Sequence, residues 1–370
     1  MTCKVLTTGS KGFIGRNIYH NLLHDDNFEI YEYSRNTSEE KLIKLLKKVD
    51  FIIHLAGANR PHSDNLFKVD NFQFTKYLCN LIEKNNLKIP IVFTSSIHVE
   101  RENEYGRTKL QAEKTLIEYS KRNKIKVHIY RLPHVVGKWC KPNYNSVVAT
   151  FCHNIAKNLP IQIDNPNFLI NIIYIDDLIN HFKKVINNSA DYATYCEVEE
   201  SYEISIGDLA NKIYNYRKLR LLNSITEVGS GIDRILYATF ISYFEPEMFS
   251  YPVSLHSDPR GEFAEIVKTR NSGQFSFFTI NIGETRGGHY HHTKNEKFLV
   301  VKGSAEYKFR NIDTNERFKI SSSDNHPMIV ETIPGWVHDI TNTGIEKAIV
   351  FLWANEVFDK LNPDTFYEEL

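Results

Sequence analysis

The stretch that decides the fold of the second half of this chain is Gly283-Glu-Thr-Arg-Gly-Gly-His-Tyr-His-His-Thr-Lys-Asn-Glu-Lys-Phe-Leu-Val-Val-Lys-Gly303. Side chains alternate faces along an extended chain, so His289 and His291 place two imidazoles on one side of it. Glu296 follows just before an apolar run, and His338 lies farther along the chain. Three neutral imidazoles and one carboxylate suit a divalent first-row metal. The sequence therefore predicts a metal site formed by His289, His291, Glu296 and His338.

The spacing of these residues resembles the two motifs of the cupin superfamily. The first motif, G-x5-H-x-H-x4-E-x6-G, matches at every position from Gly283 to Gly303. The second, P-x-G-x2-H-x3-N, matches from Pro334 to Asn342, except that Pro-Gly stands in place of Pro-x-Gly. The resemblance implies an all-β jelly-roll cupin domain over residues 251–370. Short strands separated by turn residues after Tyr251 also favour an antiparallel barrel.

Length and composition narrow the possible classes of protein. A chain of 370 residues is long enough for two domains, each with its own core. The 45 basic and 45 acidic residues balance, which argues against bulk binding to nucleic acid or to an anionic membrane. No apolar run approaches the ~20 residues that span a bilayer, and the chain begins with a strand instead of a cleavable signal. The five scattered cysteines are typical of reduced thiols, so we expect a cytoplasmic protein.

A glycine-rich turn follows the first apolar strand. Lys4–Thr8 indicates a short buried strand, and Gly9, Gly12 and Gly15 come before a helix-like stretch. Such a turn brings backbone N–H groups and a helix N-terminus onto a pyrophosphate. The spacing G-x2-G-x2-G resembles that of extended short-chain dehydrogenases. The resemblance implies a Rossmann fold, an α/β doubly wound parallel sheet, over residues 1–245. It places cofactor contacts at Gly9, Lys11, Gly12, Phe13, Ile14 and Gly15.

Two later segments extend the predicted cofactor site. Ser34 and Arg35 end the second predicted strand, where an arginine accommodates the 2′-phosphate of NADP. Glu32 is the only nearby acid and lies slightly early for a contact with the ribose of NAD, so NADPH is favoured. Leu55, Ala56 and Gly57 follow the third strand, and the small side chains at 56 and 57 let a cofactor lie close to the backbone. A simple strand end is the alternative interpretation of that segment.

Catalytic residues are predicted after the strand that ends in two serines. Tyr105 and Lys109 are four residues apart on a probable helix, so both can face one site. We expect Lys109 to lower the pKa of the phenol and to contact the cofactor as well. Tyr105 would pass a proton to a carbonyl oxygen that a serine hydroxyl orients. Ser96 is preferred to Ser95 because it aligns better with the last serine of the dehydrogenase pattern.

Three residues are candidates for substrate binding. Asn143 and Asn145 lie in a polar and aromatic segment, residues 138–146, in which amides could reach sugar hydroxyls; an ordered surface loop is the alternative. The segment Asp258–Glu265 resembles the D-x-R-G-x-F-x-E segment of nucleotide-sugar 3,5-epimerases. In it Arg260 is a candidate for contact with a diphosphate, and a turn arginine in a salt bridge is the alternative.

Over nearly its whole length the chain resembles the CapF or WbjC family of capsule and O-antigen enzymes. The runs Gly137–Ser146 and His291–Val301 both carry this resemblance. It implies a short-chain reductase joined to a zinc cupin, and a homodimer. It implies a UDP-linked 4-keto-6-deoxy-N-acetylhexosamine as substrate, UDP-2-acetamido-2,6-dideoxy-L-hexos-4-ulose. Epimerisation at C3 in the cupin and reduction at C4 with NADPH would then give UDP-N-acetyl-L-talosamine.

Some assignments stay open at this stage. His292 and Lys294 lie beside the metal ligands and are the candidates for the base that removes the C3 proton, and we favour His292. One alternative function is a monofunctional reductase whose cupin only binds sugar or mediates assembly. A dioxygenase-like cupin is another, because three histidines and one glutamate also suit iron or manganese.

Overall fold

The chain forms two compact units. The computed structural model describes residues 2–59, 64–187, 193–292, 294–361 and 363–370. The first unit contains Met1–Ile213 and Arg234–Phe244, and the second contains Tyr214–Asp233 and Glu245–Leu370. The domain boundaries 1–245 and 251–370 stay a prediction.

A parallel sheet organises the first unit. The strands of this unit are β1 (Cys3–Thr8), β2 (Phe28–Tyr33), β3 (Phe51–His54), β4 (Ile91–Ser96), β5 (Val127–Leu132), β6 (His134–Val136), β7 (Leu169–Tyr174), β8 (Ala193–Cys196) and β9 (Ser201–Ser205). Six of them lie in the order β2-β1-β3-β4-β5-β8, and all their pairings are parallel. The order reverses beside β1, as in a doubly wound fold, where ligands bind at the carboxyl ends of the strands. A smaller sheet has the order β6-β7-β9.

Helices cover the parallel sheet. The helices of the chain are α1 (Phe13–Leu22), α2 (Glu39–Leu46), α3 (Asp64–Phe67), α4 (Phe74–Lys84), α5 (Glu104–Asn123), α6 (Val147–Ala156), α7 (Ile175–Asn187), α8 (Ile206–Leu221) and α9 (Gly231–Ile241). Strands with both faces covered are near-continuous apolar runs, and Phe51–His54 and Ile91–Ser96 are indeed buried at every position. Within the described residues, no helix combines the length and the apolar character that crossing a membrane requires.

The second unit is built mostly from antiparallel strands. They are β10 (Ser224–Ile225), β11 (His256–Asp258), β12 (Gly261–Thr269), β13 (Gln274–Ile280), β14 (Thr285–Tyr290), β15 (Glu296–Lys302), β16 (Ser304–Asn311), β17 (Arg317–Ser323), β18 (Val330–Glu331), β19 (Trp336–Asn342), β20 (Ala348–Ala354) and β21 (Phe366–Tyr367). One sheet has the order β10-β12-β13-β20-β15-β18, with β11 on β12, and the other has the order β17-β16-β19-β14-β21. Closure of these sheets into a jelly-roll barrel stays a prediction.

Apolar side chains from both of these sheets form one core. Phe278, Phe298 and Val350 come from the first sheet, and Tyr307 and Ile340 come from the second. Along β15 and β20 buried positions alternate with more exposed ones, as the two-residue period of a strand requires. The inward faces of the two sheets therefore pack against each other.

Asn342, the last residue of the second cupin motif, holds three backbone groups. Its amide Nδ2 donates to the carbonyl oxygens of Ile280 at 2.9 Å and Glu346 at 2.8 Å, and its Oδ1 accepts from the N–H of Gly344 at 2.9 Å. The residue is 2 % exposed. The buried side-chain amide of Asn342 therefore stabilises a turn, which explains why asparagine occupies this position of the motif.

Asn342→Ala should lower the stability of the second unit, because each buried backbone group left unpaired costs about 1–3 kcal/mol. The measurement is thermal or urea unfolding. Asn325→Ala, at an exposed position of the same unit, is the matched control and should unfold like the wild type. Equal stability of the Asn342 and Asn325 variants would contradict this role.

Candidate active site and metal centre

The glycine-rich turn packs tightly against the end of β3. Gly9 has φ +72°, and a Cβ there would lie 2.9 Å from the backbone nitrogen of Ala56 and 3.0 Å from the carbonyl carbon of Leu55. Gly12 is the N-cap of α1, and no described side chain caps that helix. The first N–H groups of α1 are therefore open to an anionic ligand.

A cavity of about 1500 Å³ in the first unit is bordered by this turn. Most of the residues predicted to bind cofactor or to act in catalysis line it: Lys11, Gly12, Phe13, Ile14, Arg35, Leu55, Gly57, Ser96, Tyr105 and Lys109. Asn145 lines it as well. Gly9, Gly15, Ser34 and Ala56 are not among the lining residues. The structure thus brings the separate sequence motifs to one cavity.

Asn143 points elsewhere. Its backbone N–H donates to Oγ1 of Thr150 at 2.9 Å, and its side-chain amide lies 3.4 Å from Oδ1 of Asn154. Asn143 also has a positive φ of 53°. These contacts hold the loop, and its role in binding substrate stays a prediction.

The two neighbouring serines make different contacts. Ser96 lies close enough to Tyr105 for its hydroxyl to lower the pKa of the phenol, and its Oγ accepts from the N–H of His98 at 3.1 Å. Ser95 donates instead to the carboxylate of Glu113, which is fully buried. The geometry therefore favours Ser96 as the partner of Tyr105.

Helix α5 presents Tyr105 and Lys109 to the cavity. The helix begins after Asn103, whose Oδ1 accepts from the N–H of Gly106 at 2.8 Å. A Cβ on Gly106 would lie 2.6 Å from the carbonyl oxygen of His98, so glycine lets the helix approach the turn after β4 closely. Tyr105 lies in the first turn of the helix, and Lys109 follows one turn later.

Burial sets the protonation of both residues. Burial raises the pKa of Tyr105, and the hydrogen bond with Ser96 offsets this rise only in part. Burial lowers the pKa of Lys109 to about 8. The Nζ of Lys109 donates to the carbonyl oxygen of Thr94 at 2.9 Å. The phenol pKa is therefore raised by burial and not lowered by Lys109, which is not among the groups that shift it.

Arg35 reaches the cavity but is already paired. Its guanidinium lies 2.5 Å from a carboxylate oxygen of Asp70, which belongs to a π-helical stretch, Lys68–Gln73. The Arg35 side chain is 77 % exposed, so it can still reach a ligand. A 2′-phosphate would share this arginine with Asp70.

The sequence analysis missed several residues that line the cavity. His98 and His134 lie with ring centroids 6.3 Å apart. Trp139 has φ +70°, which is unusual for a bulky residue, and its ring centroid lies 4.9 Å from Cζ of Arg16. The sequence signals were weak: His134 replaces the asparagine usual in extended dehydrogenases, and Trp139 follows a glycine by two positions.

In the second unit the four predicted metal ligands lie together. One ligand atom from each of His289, His291, Glu296 and His338 lies within 4.8 Å of the others. His289 on β14 is directly paired with His338 on β19. The imidazole centroids are separated by 4.7 to 5.2 Å. Strand pairing thus joins the two cupin-like motifs in one cluster.

The electrostatics of the cluster suit a cation. Burial alone would raise the pKa of Glu296, but its hydrogen bond with His291, the nearby imidazole of His338 and the ammonium of Lys294 hold it well below its usual range. Burial lowers the pKa of His289 to about 3, so its imidazole is neutral, as a metal ligand must be. Nε2 of His338 is buried and lies 3.5 Å from Oε2 of Glu296, but it has no well-formed hydrogen bond to a described residue. A divalent metal would satisfy this nitrogen, and the donor set fits it.

The two candidates for the epimerase base are placed differently. His292 is exposed, and its ring lies against Phe366 and Tyr290, with centroids 4.7 and 5.4 Å away. The Nζ of Lys294 lies 2.8 Å from Oε1 of Glu296. Lys294 is therefore at the cluster, whereas the His292 ring lies to its side.

Arg260 lies near the start of β12 in the second unit. It forms an ion pair with Asp258 at 2.7 Å, and Arg286 approaches the same carboxylate at 3.4 Å. Two guanidiniums therefore share one carboxylate. This arrangement contains the turn salt bridge that was the alternative role of Arg260.

Comparison with known proteins identifies both halves. Residues 5–197 match the NAD dependent epimerase/dehydratase family, and residues 256–366 match the polysaccharide biosynthesis C-terminal domain. The chain is 49 % identical over 363 residues, 98 % of each chain, to the UDP-2-acetamido-2,6-beta-L-arabino-hexul-4-ose reductase of Pseudomonas aeruginosa.

Solved structures extend this similarity to the fold. The crystal structure of the capsular polysaccharide assembling protein CapF from Staphylococcus aureus has a TM-score of 0.90 at 37 % identity, covering 99 % of this chain and 100 % of that one. UDP-glucuronic acid 4-epimerase from Bacillus cereus, at 18 % identity and a TM-score of 0.51 over 58 % of this chain and 83 % of that one, shares the fold alone. The chain therefore belongs to the NAD dependent epimerase/dehydratase family and, along nearly its whole length, to the same family as the Pseudomonas reductase and CapF.

Proposed function

We propose that this chain is a bifunctional nucleotide-sugar enzyme of polysaccharide biosynthesis. The second unit epimerises C3 of UDP-2-acetamido-2,6-dideoxy-L-hexos-4-ulose, and the first reduces the C4 ketone with NADPH to give UDP-N-acetyl-L-talosamine. The observation that carries the reductase is that Ser96, Tyr105 and Lys109 line one cavity together with the glycine turn. The name of the Pseudomonas relative, a reductase of a UDP-linked 4-keto sugar, supports the substrate class.

Reduction of a ketone needs a hydride on carbon and a proton on oxygen. The nicotinamide cofactor supplies the hydride when it is bound. Tyr105 donates the proton: its raised pKa keeps the phenol protonated at neutral pH. The hydroxyl of Ser96 orients the carbonyl oxygen, and Lys109, with a pKa of about 8, is still mostly protonated and can stabilise the tyrosinate that is left.

The charge of the cavity suits ligands with diphosphates. Cationic lining residues outnumber acidic ones: Lys11, Arg16, Arg35, Arg101, Arg107, Lys109 and Lys141 against Asp70 and Glu104. NADPH and a UDP-sugar both carry diphosphates, and a positive cleft raises their local concentration. This excess of positive charge supports a nucleotide cofactor together with a nucleotide-sugar substrate.

Epimerisation at C3 needs an acidic C–H beside the ketone. His289, His291, Glu296 and His338 would hold a divalent metal, for which we propose zinc. When bound, the metal supplies Lewis acidity that makes the neighbouring C–H more acidic. His292 stays our prediction for the base, with Lys294, whose Nζ lies 2.8 Å from Oε1 of Glu296, as the second candidate; to act as the base it would have to be in the neutral amine form. A homodimer, which the family resemblance implies, and a cytoplasmic location, which the scattered cysteines favour, also stay predictions.

Tyr105→Phe keeps the ring but removes the transferable proton. We expect NADPH oxidation with the keto sugar to fall by about 10²-fold or more, the usual scale for general acid catalysis. Steady-state absorbance at the nicotinamide band measures this. Tyr214→Phe, at an exposed tyrosine, is the control and should leave the rate unchanged. A near-wild-type rate in Tyr105→Phe would remove Tyr105 from the mechanism.

Arg35→Ala should weaken NADPH binding more than NADH binding, because only NADPH has a 2′-phosphate to lose its partner. Fluorescence titration gives both dissociation constants. Asp70→Asn is the matched variant: removing the carboxylate 2.5 Å from Arg35 should shift the preference toward NADPH. Equal losses for the two cofactors in Arg35→Ala would mean that Arg35 does not read the phosphate.

His289→Ala and His338→Ala should abolish metal binding and the uptake of deuterium at C3 in D₂O without NADPH, followed by NMR. Reduction of substrate already epimerised should survive, because Tyr105 belongs to the other unit. His256→Ala, an exposed histidine of the same unit, is the control. Exchange at the wild-type rate in a metal-free variant would show that the metal is structural.

A further inference from the structure

A backbone carbonyl orients the ring of His291. Its Nδ1 lies 2.5 Å from the carbonyl oxygen of Asp364, which is 73 residues away in the chain. A carbonyl oxygen can only accept, so Nδ1 carries the proton and Nε2 keeps its lone pair in the neutral ring. That Nε2 faces Glu296, at 3.3 Å from Oε2. The contact thus fixes which nitrogen is offered to a metal.

The carboxylate of the same residue holds the turn between two ligands. Oδ1 of Asp364 accepts from the N–H of His292 at 2.9 Å, and Oδ2 accepts from the N–H of Lys294 at 2.8 Å. These two residues lie between His291 and Glu296 in the chain. One residue therefore binds both the ring of a ligand and the backbone that leads to the next ligand.

Strand β21 pairs with β14, the strand that carries the metal-ligand candidate His289. His289 pairs with Tyr367 and Tyr290 with Phe366, and the N–H of Glu368 donates to the carbonyl oxygen of Gly288 at 3.1 Å. The Tyr290 and Phe366 rings are stacked, with centroids 5.3 Å apart. The same short segment therefore fixes the backbone on both sides of His289.

A buried arginine anchors the far side of this segment. Arg310 on β16 is 8 % exposed. Its Nε and Nη2 donate to the carbonyl oxygen of Glu369 at 3.0 and 2.6 Å, and Nη2 also contacts the carboxylate of Glu368 at 2.7 Å. A buried guanidinium needs such partners, so the arginine and the segment stabilise each other.

From these contacts we propose that residues 364–369 form a clamp that holds His289, His291 and Glu296 in place for the metal, with Asp364 as its positioning residue. The inference rests on the metal centre of the proposed function, but not on the epimerase reaction. Hydrogen bonds of this kind orient ligand imidazoles and raise metal affinity. Because the clamp already holds the ligands in place, they lose less conformational freedom when the metal binds.

Asp364→Ala removes both carboxylate acceptors and tests the clamp. The backbone carbonyl that binds His291 remains, but the carboxylate no longer ties it to the N–H groups of His292 and Lys294. Competition with a chromophoric chelator should show zinc bound about 10–100-fold more weakly, the usual scale for disturbing the outer partners of a metal site. Asp364→Asn keeps one acceptor oxygen and should give an intermediate affinity. Asp313→Ala, at an exposed carboxylate of the same unit, is the matched control and should bind zinc like the wild type.

A second measurement separates positioning from general stability. In the ¹⁵N NMR spectrum of the metal-free wild type, the Nδ1–H of His291 should exchange slowly with water. In Asp364→Ala it should exchange faster while the melting temperature changes little. A variant that lacks residues 366–370 keeps Asp364 and removes the strand pairing together with the partners of Arg310, with an expected loss of zinc affinity. It also replaces the point variant if that one fails to fold.

Wild-type zinc affinity together with an unchanged His291 signal in Asp364→Ala would overturn the proposal. The outcome is independent of the epimerase assignment. A wild-type protein that binds zinc tightly but exchanges no deuterium at C3 would refute the epimerase and leave the clamp intact. Normal uptake of deuterium at C3 by the wild type, together with wild-type zinc affinity in Asp364→Ala, would support the epimerase and refute the clamp.

Discussion

Glu296 is 5 % exposed, and the cluster at the centre of the second unit depends on neighbouring groups that compensate the charge of its carboxylate. An unpartnered buried carboxylate costs several kcal/mol. Glu296 begins β15 in one sheet, whereas His289 and His338 lie on β14 and β19 of the other. The ligand set therefore links the two sheets. The ammonium of Lys294, 2.8 Å away, adds a compensating charge, so the cluster has partners before a metal enters it.

In the first unit, the buried charge that corresponds to Glu296 is the ammonium of Lys109. Lys109 is 5 % exposed, and its hydrogen bond to the carbonyl oxygen of Thr94 keeps it at the end of β4. Burial moves the two pKa values in opposite directions, since it disfavours ammonium and phenolate alike. Tyr105 therefore rests in the protonated form, which is the form that can donate to a ketone. The same physical effect thus prepares a proton donor in one unit and the neutral imidazole of His289 in the other.

The chemistry of the proposed function orders its two steps. The C3–H bond is acidic only while the neighbouring C4 is a ketone, and reduction removes that ketone. Epimerisation must therefore precede reduction. Two sites of different character fit this proposed sequence: a small buried cluster whose donor set suits a metal, and a large cavity with an excess of positive charge. In the proposed function, each site acts on a carbon next to the one on which the other acts.

The sequence by itself determined the parts that follow from local periods. The two-residue period of a strand placed His289 and His291 on one face, and the helical period placed Tyr105 and Lys109 on another. The parallel sheet was expected from the resemblance to extended short-chain dehydrogenases, and the mainly antiparallel second half from the cupin resemblance and from short strands separated by turn residues. Only the tertiary structure decided that Asp364 holds His291, that Asp70 pairs with Arg35, and that Lys109 turns to Thr94. Such contacts join residues far apart in the chain, and they depend on strand pairing and burial, which no local spacing encodes.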